Sequence, residues 1–286
     1  MADPQRAVRA LAETDALIAR GAVPQVSCRP FMTQVELSKP FLFGDRKTFQ
    51  PIINADPAAQ LAAYRSAAFR DALRAEMRTT GVFNADWDRL EVQSVESPAL
   101  AGYAGRTVAD IAADEKRDGM DVFLDLAVRD DLGARFLFTI ANTDPEAVAT
   151  LVGEARTLIG ASDGGAHVDQ ICDVGYATWL LQTWVRERGA LSLERGVQRL
   201  TEDPARLFGL TDRGRIAPGL RADLTLLDPA AMGSQRLPEV RHDLPGGERR
   251  LVSPARGIHA TWVAGEQLMD HGNDCGARRG EVLRPA

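Results

Sequence analysis

The sequence predicts an α/β fold: part of a parallel sheet or barrel, followed by a small β module. Three observations carry this. Between residues 107 and 200, helix-like and strand-like segments alternate, the order that parallel strands joined by crossover helices produce. A short apolar stretch, Thr157 to Ala161, runs into Ser162-Asp163-Gly164-Gly165, a turn signal where a strand would hand over to a loop. After Phe208 the chain changes to short β-prone pieces, opening on the turn-rich Gly214-Arg215-Ile216-Ala217-Pro218-Gly219.

The elements follow in order. Pro4 to Arg20 places Val8, Leu11, Leu17 and Ile18 at helical spacing until Gly21 stops the pattern. Val23 to Arg29 is β-prone, with Pro24 near its start, and Pro30 ends it. Residues 30 to 56 read as a long irregular excursion, Ala58 to Arg78 as one helix, and Leu90 to Val95 as a short extended piece. Thr107 caps a helix, with Asp110 three residues on as an approximate capping box. Asp121 to Arg129 is a helix that buries Val122, Phe123, Leu126 and Ala127. Arg135 to Ile140 is a strand, and Pro145 to Glu154 a helix opened by Asp144. Helices at Tyr176 to Arg188 and Leu193 to Leu200 complete the α/β part. Parallel strands are expected to end near Arg29, Ile140 and Ala161. Beyond residue 210, strands are expected at Asp223 to Leu227 and Ile258 to Val263, the latter returning through Ala264-Gly265-Glu266 to Gln267 to Met269.

Composition narrows the function classes. With 45% hydrophobic and 26% charged residues over 286 positions, the chain has globular proportions. A net charge of -6 without any Lys/Arg stripe argues against nucleic-acid partners. No apolar run reaches the ~18–20 residues that span a bilayer, and the N-terminal stretch lacks signal-peptide character. Neither a membrane partner nor a secretory route is therefore expected. The cysteines, Cys28, Cys172 and Cys275, are scattered and form no CxxC pair, so a cytoplasmic location is expected. P-loop, GxGxxG and GxSxG motifs are absent.

Asp163 is the leading site residue. Strand C-termini and the loops after them build the active site of a parallel α/β barrel. The glycines Gly164 and Gly165 let the chain turn there and let a substrate approach. A carboxylate at that point can bind a metal or take a proton from water, or simply make an Asx-turn with the Gly-Gly pair. His167, four residues on, is either a ligand to the same pocket or a structural histidine. Arg29, beside Cys28 at the end of another strand, is read as a fork for a substrate carboxylate or as a surface ion pair. Trp179, Leu180 and Trp184 read as helix packing. His242, His259 and His271 fall in the C-terminal part and form no recognisable cluster.

Together these motifs resemble amidohydrolases similar to N-acyl-D-amino-acid deacylases. Gly160 to Asp169 (GASDGGAHVD) looks like the strand-eight segment of that superfamily, and Thr201 to Leu210 (TEDPARLFGL) looks like the helix after it. Gly214 to Leu224 looks like the return into its small β-domain, and Val263-Ala264-Gly265-Glu266 like its final turn. The resemblance implies the C-terminal half of a (β/α)8 TIM-type barrel over residues 1–209, with a β-domain segment over 210–286. It implies a hydrolase of amide-type C–N bonds in N-acyl amino acids, with one or two divalent metals, usually zinc. In that reading Asp163 binds metal and serves as general base, while Arg29, Gly164, Gly165 and His167 face substrate. The family opens with a His-x-His pair, whereas all four histidines here lie at or beyond His167. The remaining ligands are expected from a missing barrel half, absent by truncation or supplied by a partner chain. A non-catalytic scaffold derived from such an enzyme is the alternative, and an unrelated complete α/β hydrolase a third reading.

Overall fold

The structure is a computed structural model that describes residues 5–79, 81–160, 162, 165 and 167–283. In chain order, α1 (Arg6–Glu13) and α2 (Asp15–Ile18) lead to β1 (Gln25–Val26) and β2 (Phe31–Glu36). Helices α3 (Pro57–Arg65) and α4 (Ala67–Glu76) precede β3 (Leu90–Ser94), then α5 (Val108–Glu115), α6 (Gly119–Arg129) and β4 (Arg135–Ala141). Helix α7 (Pro145–Gly153) leads to β5 (Leu158–Ile159). Helix α8 (Tyr176–Trp179) runs on as a π-helical stretch, Leu180–Glu187, followed by α9 (Leu193–Leu200) and α10 (Glu202–Leu207). The last part holds β6 (Leu224–Leu227), β7 (Gly233–Ser234), β8 (Glu239–Arg241), β9 (Arg250–Val252), β10 (Ala255–Arg256), β11 (Ile258–Val263), β12 (Glu266–Asp270) and β13 (Asn273–Asp274).

Side-chain caps set many of these boundaries. Thr107 Oγ1 accepts the Asp110 amide at 3.1 Å, and its hydroxyl donates to Asp110 Oδ2 at 2.7 Å, which opens α5 as expected. Asp144 accepts from Glu146 and Ala147, with Pro145 in the first turn of α7. Each such cap contributes ~1 kcal/mol. The stretch from Ala58 to Arg78, expected as one helix, is two. Ser66 sits in extended backbone between them, and its Oγ accepts the Phe69 amide to start α4. Serine that can bond its own local backbone competes with helix continuation, and here it wins.

The chain forms two compact units, one from residues 32–141 with 169–171, the other from 1–31, 142–168 and 172–286. The unit of residues 32–141 contains a sheet in the order β2-β4-β3, with β3 and β4 antiparallel in the register Leu90↔Phe138 and Val92↔Phe136. Its core is aromatic. Phe43 stacks on Phe49 at 4.6 Å, Phe123 meets Phe136 edge-on at 4.7 Å, and Phe83 meets Phe138 at 5.1 Å. Buried Arg46 ties the surrounding loops, donating from Nη1 to the Glu76 carbonyl at 3.0 Å and from Nη2 to the Phe83 carbonyl at 2.5 Å.

Two expectations are corrected here. The strand ending near Ile140 is not a neighbour of the other two; it is β4, antiparallel to β3 in this separate sheet. An apolar run buried on both faces carries no mark of its partner's direction, so the sequence pattern fitted either pairing. Residues 31–36, expected as irregular, form β2. Thr33 and Gln34 interrupt its apolar pattern but are buried, and Gln34 Nε2 donates to Gln93 Oε1 at 2.6 Å.

In the other unit, β1 and β5 pair in parallel, Gln25 opposite Leu158 and Val26 opposite Ile159. Cys28, Val148, Val152, Ile159, Leu180 and Trp184 form the apolar cluster around that pair. Buried Arg199 of α9 anchors the start of β5, donating from Nη2 to Thr157 Oγ1 at 2.8 Å and from Nη1 to the Thr157 carbonyl. The C-terminal strands form an antiparallel sheet in the order β13-β12-β11-β6, as expected for those segments. No helix among the described residues is long and apolar enough to cross a membrane.

Candidate active site

β5 ends at Ile159, four positions before Asp163 in the sequence. Asp163 and Gly164, the first two site residues named from the sequence, lie outside the described residues. Gly165 is exposed at φ 93°, and a Cβ there would touch nothing within 4 Å. His167 is exposed and held in left-handed backbone at φ 46°. Downstream the loop turns inward again at Cys172 and Asp173, both buried.

Arg29 is where this loop is anchored. Its side chain is 1% exposed and that of Asp173 2%, and Arg29 Nε lies 3.0 Å from Asp173 Oδ1. Nη2 donates to the Arg236 carbonyl at 3.3 Å, and the guanidinium carbon sits 5.2 Å from the Trp179 ring centroid. The Arg29 carbonyl accepts from Asn142 Nδ2 at 2.9 Å. The guanidinium is turned to one carboxylate, one carbonyl and one indole, and the ion pair anticipated at the surface is an interior one. Arg29 Nη1, Ser234 Oγ and Ser253 Oγ are buried with no hydrogen-bond partner among the described residues. They crowd the face of Gly175, where a Cβ would lie 3.2 Å from Nη1 and 2.5 Å from Ser253 Oγ, so only glycine fits.

The neighbouring thiols are not nucleophiles. Burial pushes Cys28 up to about 12, and its Sγ donates to the Tyr176 carbonyl at 3.2 Å. Burial also raises Cys172. Leu180 and Trp184 pack in the core as expected, and Trp184 Nε1 donates to the Cys28 carbonyl at 2.5 Å. Trp179 packs against the same cluster, as expected, and also presents its face to Arg29. The anchor residues Asp173, Trp179, Asn142 and Ser234 carry no motif. The signal for them was an Arg at a strand end and the last of three Asp residues in the loop after β5.

A divalent metal needs about three protein ligands with a position left open for catalysis. Among the described residues no group of three or more His, Cys, Asp or Glu side chains is placed to hold one. The described donor set therefore does not by itself fit the metal that the family resemblance implies.

The model of the amidohydrolase family matches residues 54–269, three quarters of the chain. This chain belongs to the amidohydrolase family. Among curated proteins, this amidohydrolase is 39% identical over 112 residues to the N-acyl-D-aspartate deacylase of Alcaligenes xylosoxydans xylosoxydans, covering 39% of this chain and 20% of that protein. It is 28% identical over 182 residues to the D-aminoacylase of the same organism, covering 63% of this chain and 34% of the relative. A crystal structure of D-aminoacylase superposes with a TM-score of 0.51 at 22% identity, over 98% of this chain and 46% of that one. That likeness is one of fold. The amidohydrolase thus spans less than half the length of the solved D-aminoacylase, and its aligned stretches cover 20% and 34% of these two curated relatives.

Proposed function

We propose that this amidohydrolase contributes the C-terminal part of a hydrolase that removes the acyl group from N-acyl amino acids, of the D-series named in its relatives. The observation that carries the reading is the 39% identity to an N-acyl-D-aspartate deacylase within a family match over residues 54–269. In this reading residues 1–209 are part of a (β/α)8 barrel and residues 210–286 belong to a small β-domain, in a cytoplasmic protein. Asp163 is the chain's reacting group. As a carboxylate it takes a proton from the attacking water and returns it to the leaving amine, the general base and acid of one hydrolysis. Gly164, Gly165 and His167 line the approach to it, and the Arg29–Asp173 pair fixes the loop that carries it. A divalent ion, zinc in the first place, is held by Asp163 together with histidines that these 286 residues do not contain.

The test mixes the purified chain with a polypeptide carrying the His-x-His half of a D-aminoacylase. Hydrolysis of N-acetyl-D-amino acids is measured with zinc present. The mixture is expected to hydrolyse, each half alone to be inactive, and Asp163→Ala to abolish the reaction. Turnover by the isolated chain, or a mixture indifferent to Asp163→Ala, would overturn the assignment.

A further inference from the structure

The sequence suggested that the C-terminal histidines stand apart, but the structure brings two of them together. His259 Nδ1 lies 3.1 Å from His271 Nε2, with the rings 5.1 Å apart and tilted by 67°. The residues face each other across β11 and the end of β12, where the His271 amide donates to the His259 carbonyl at 2.6 Å. We propose that His259 and His271 form a chelating site for a late first-row divalent cation such as Cu²⁺, Ni²⁺ or Zn²⁺. The site is independent of the deacylase reading.

Three features argue for it. The first is spacing. Metal–nitrogen bonds of ~2.0–2.1 Å to two nitrogens 3.1 Å apart subtend about 95–100°, between the octahedral right angle and the tetrahedral angle. A modest turn of the two rings, so that both lone pairs converge on one point, admits either geometry. The second is orientation. His271 Nδ1 donates to Asp270 Oδ1 at 2.8 Å, which leaves Nε2 as the lone-pair nitrogen. A carboxylate behind a ligating imidazole is the arrangement that fixes ring and tautomer at metal sites. Without metal, His259 donates its Nδ1 hydrogen to that Nε2. With metal, the hydrogen moves to its own Nε2, so the ring changes tautomer and no net proton is released.

The third feature is the turn. His271 and Gly272 are the two residues between β12 and β13, at φ 45° and 84°. Positive φ at both central positions is the type I′ hairpin, whose first position favours Asn, Asp or Gly. A histidine there accepts a backbone region that few side chains adopt, and the hairpin holds it rigidly opposite His259. His271 is 65% exposed, so water can complete the coordination shell. Imidazole ligands suit Cu, Ni and Zn, with affinity greatest for Cu²⁺.

The experiment titrates the whole chain with Cu²⁺ and Zn²⁺ by calorimetry and records the Cu²⁺ electron paramagnetic resonance spectrum. One ion per chain, with hyperfine structure from two nitrogens, is expected. His259→Gln and His271→Asn, the latter chosen because Asn suits the left-handed turn, should each abolish that binding, with melting temperatures near the parent's. Asp270→Asn should weaken it about tenfold, the lower end of what a lost orienting partner costs. Asp163→Asn and His167→Ala should leave it intact. The proposal fails if no stoichiometric ion binds, if both histidine variants bind like the parent, or if Asp163→Asn removes the site.

Discussion

Replacing Asp173 by Ala removes the carboxylate of the interior ion pair and leaves the Arg29 guanidinium at 1% exposure opposite nothing of its own charge range. Both partners are withdrawn from water, so solvent screening does little. Breaking such a pair from one side costs about 3–5 kcal/mol, because the remaining charge keeps its desolvation penalty. For a chain of this size that corresponds to a fall in Tm of roughly 6–20 °C. The remaining contact with Trp179 offsets at most ~1–2 kcal/mol and is already present in the parent. Replacing both partners, Arg29→Met with Asp173→Leu, removes the stranded charge and should recover most of the loss. Urea unfolding of the parent, Arg29→Met, Asp173→Leu and the double variant closes the cycle, with Asp173→Ala measured beside it. If Asp173→Ala costs under about 1 kcal/mol, or the double variant is no better than the singles, the pair is not the interior fastening described above.

Further outcomes follow from other parts of the molecule. Phe123→Ala, in the aromatic core against Phe43, Trp87 and Phe136, should destabilise its unit by about 3–5 kcal/mol in chemical unfolding. Arg156, through its side chain and its own amide, holds Glu154 down at about 2. Its contribution to stability is therefore complete above the ordinary carboxylate range and is lost as pH falls toward 2. A carboxyl NMR titration should find that low midpoint, and Arg156→Ala should return it toward ~4.3. In the native protein at pH 8 a thiol reagent should label Cys275 and spare Cys28 and Cys172, with all three reacting after denaturation.

The sequence was informative where local chemistry decides the outcome. Thr107, Asp144 and the Ala264-Gly265 turn all act within a few residues of themselves, and each stands where its side chain or backbone preference puts it. Partnership was harder to read. Nothing in Arg135–Ala141 says that it pairs with Leu90–Ser94 rather than with β1, because burial on both faces erases the alternation that would tell them apart. β2 was hidden by Thr33 and by Gln34, a polar residue whose partners, Gln93 and Gln170, come from distant parts of the chain. The candidate site divides in the same way. Asp163 and its glycines announce themselves by spacing. Asp173, Trp179 and Ser234 become neighbours of Arg29 only through long-range folding, and His259 meets His271 only through the register of two strands.

Asn142 has left-handed backbone at φ 59°, and its side chain donates to the Ser27 carbonyl at 3.3 Å and the Arg29 carbonyl at 2.9 Å. Those carbonyls lie just before the chain departs into residues 32–141, and Asn142 is the first residue after it comes back. The first departure and its return are therefore stitched together, with about 110 residues between them; the chain contributes to that unit once more through residues 169–171. A polypeptide with such a stitch can exchange the excursion for a short turn without rethreading the rest. Asn142 thus closes a loop of domain size, and the chain on its two sides supplies the two strands of the β1–β5 pair.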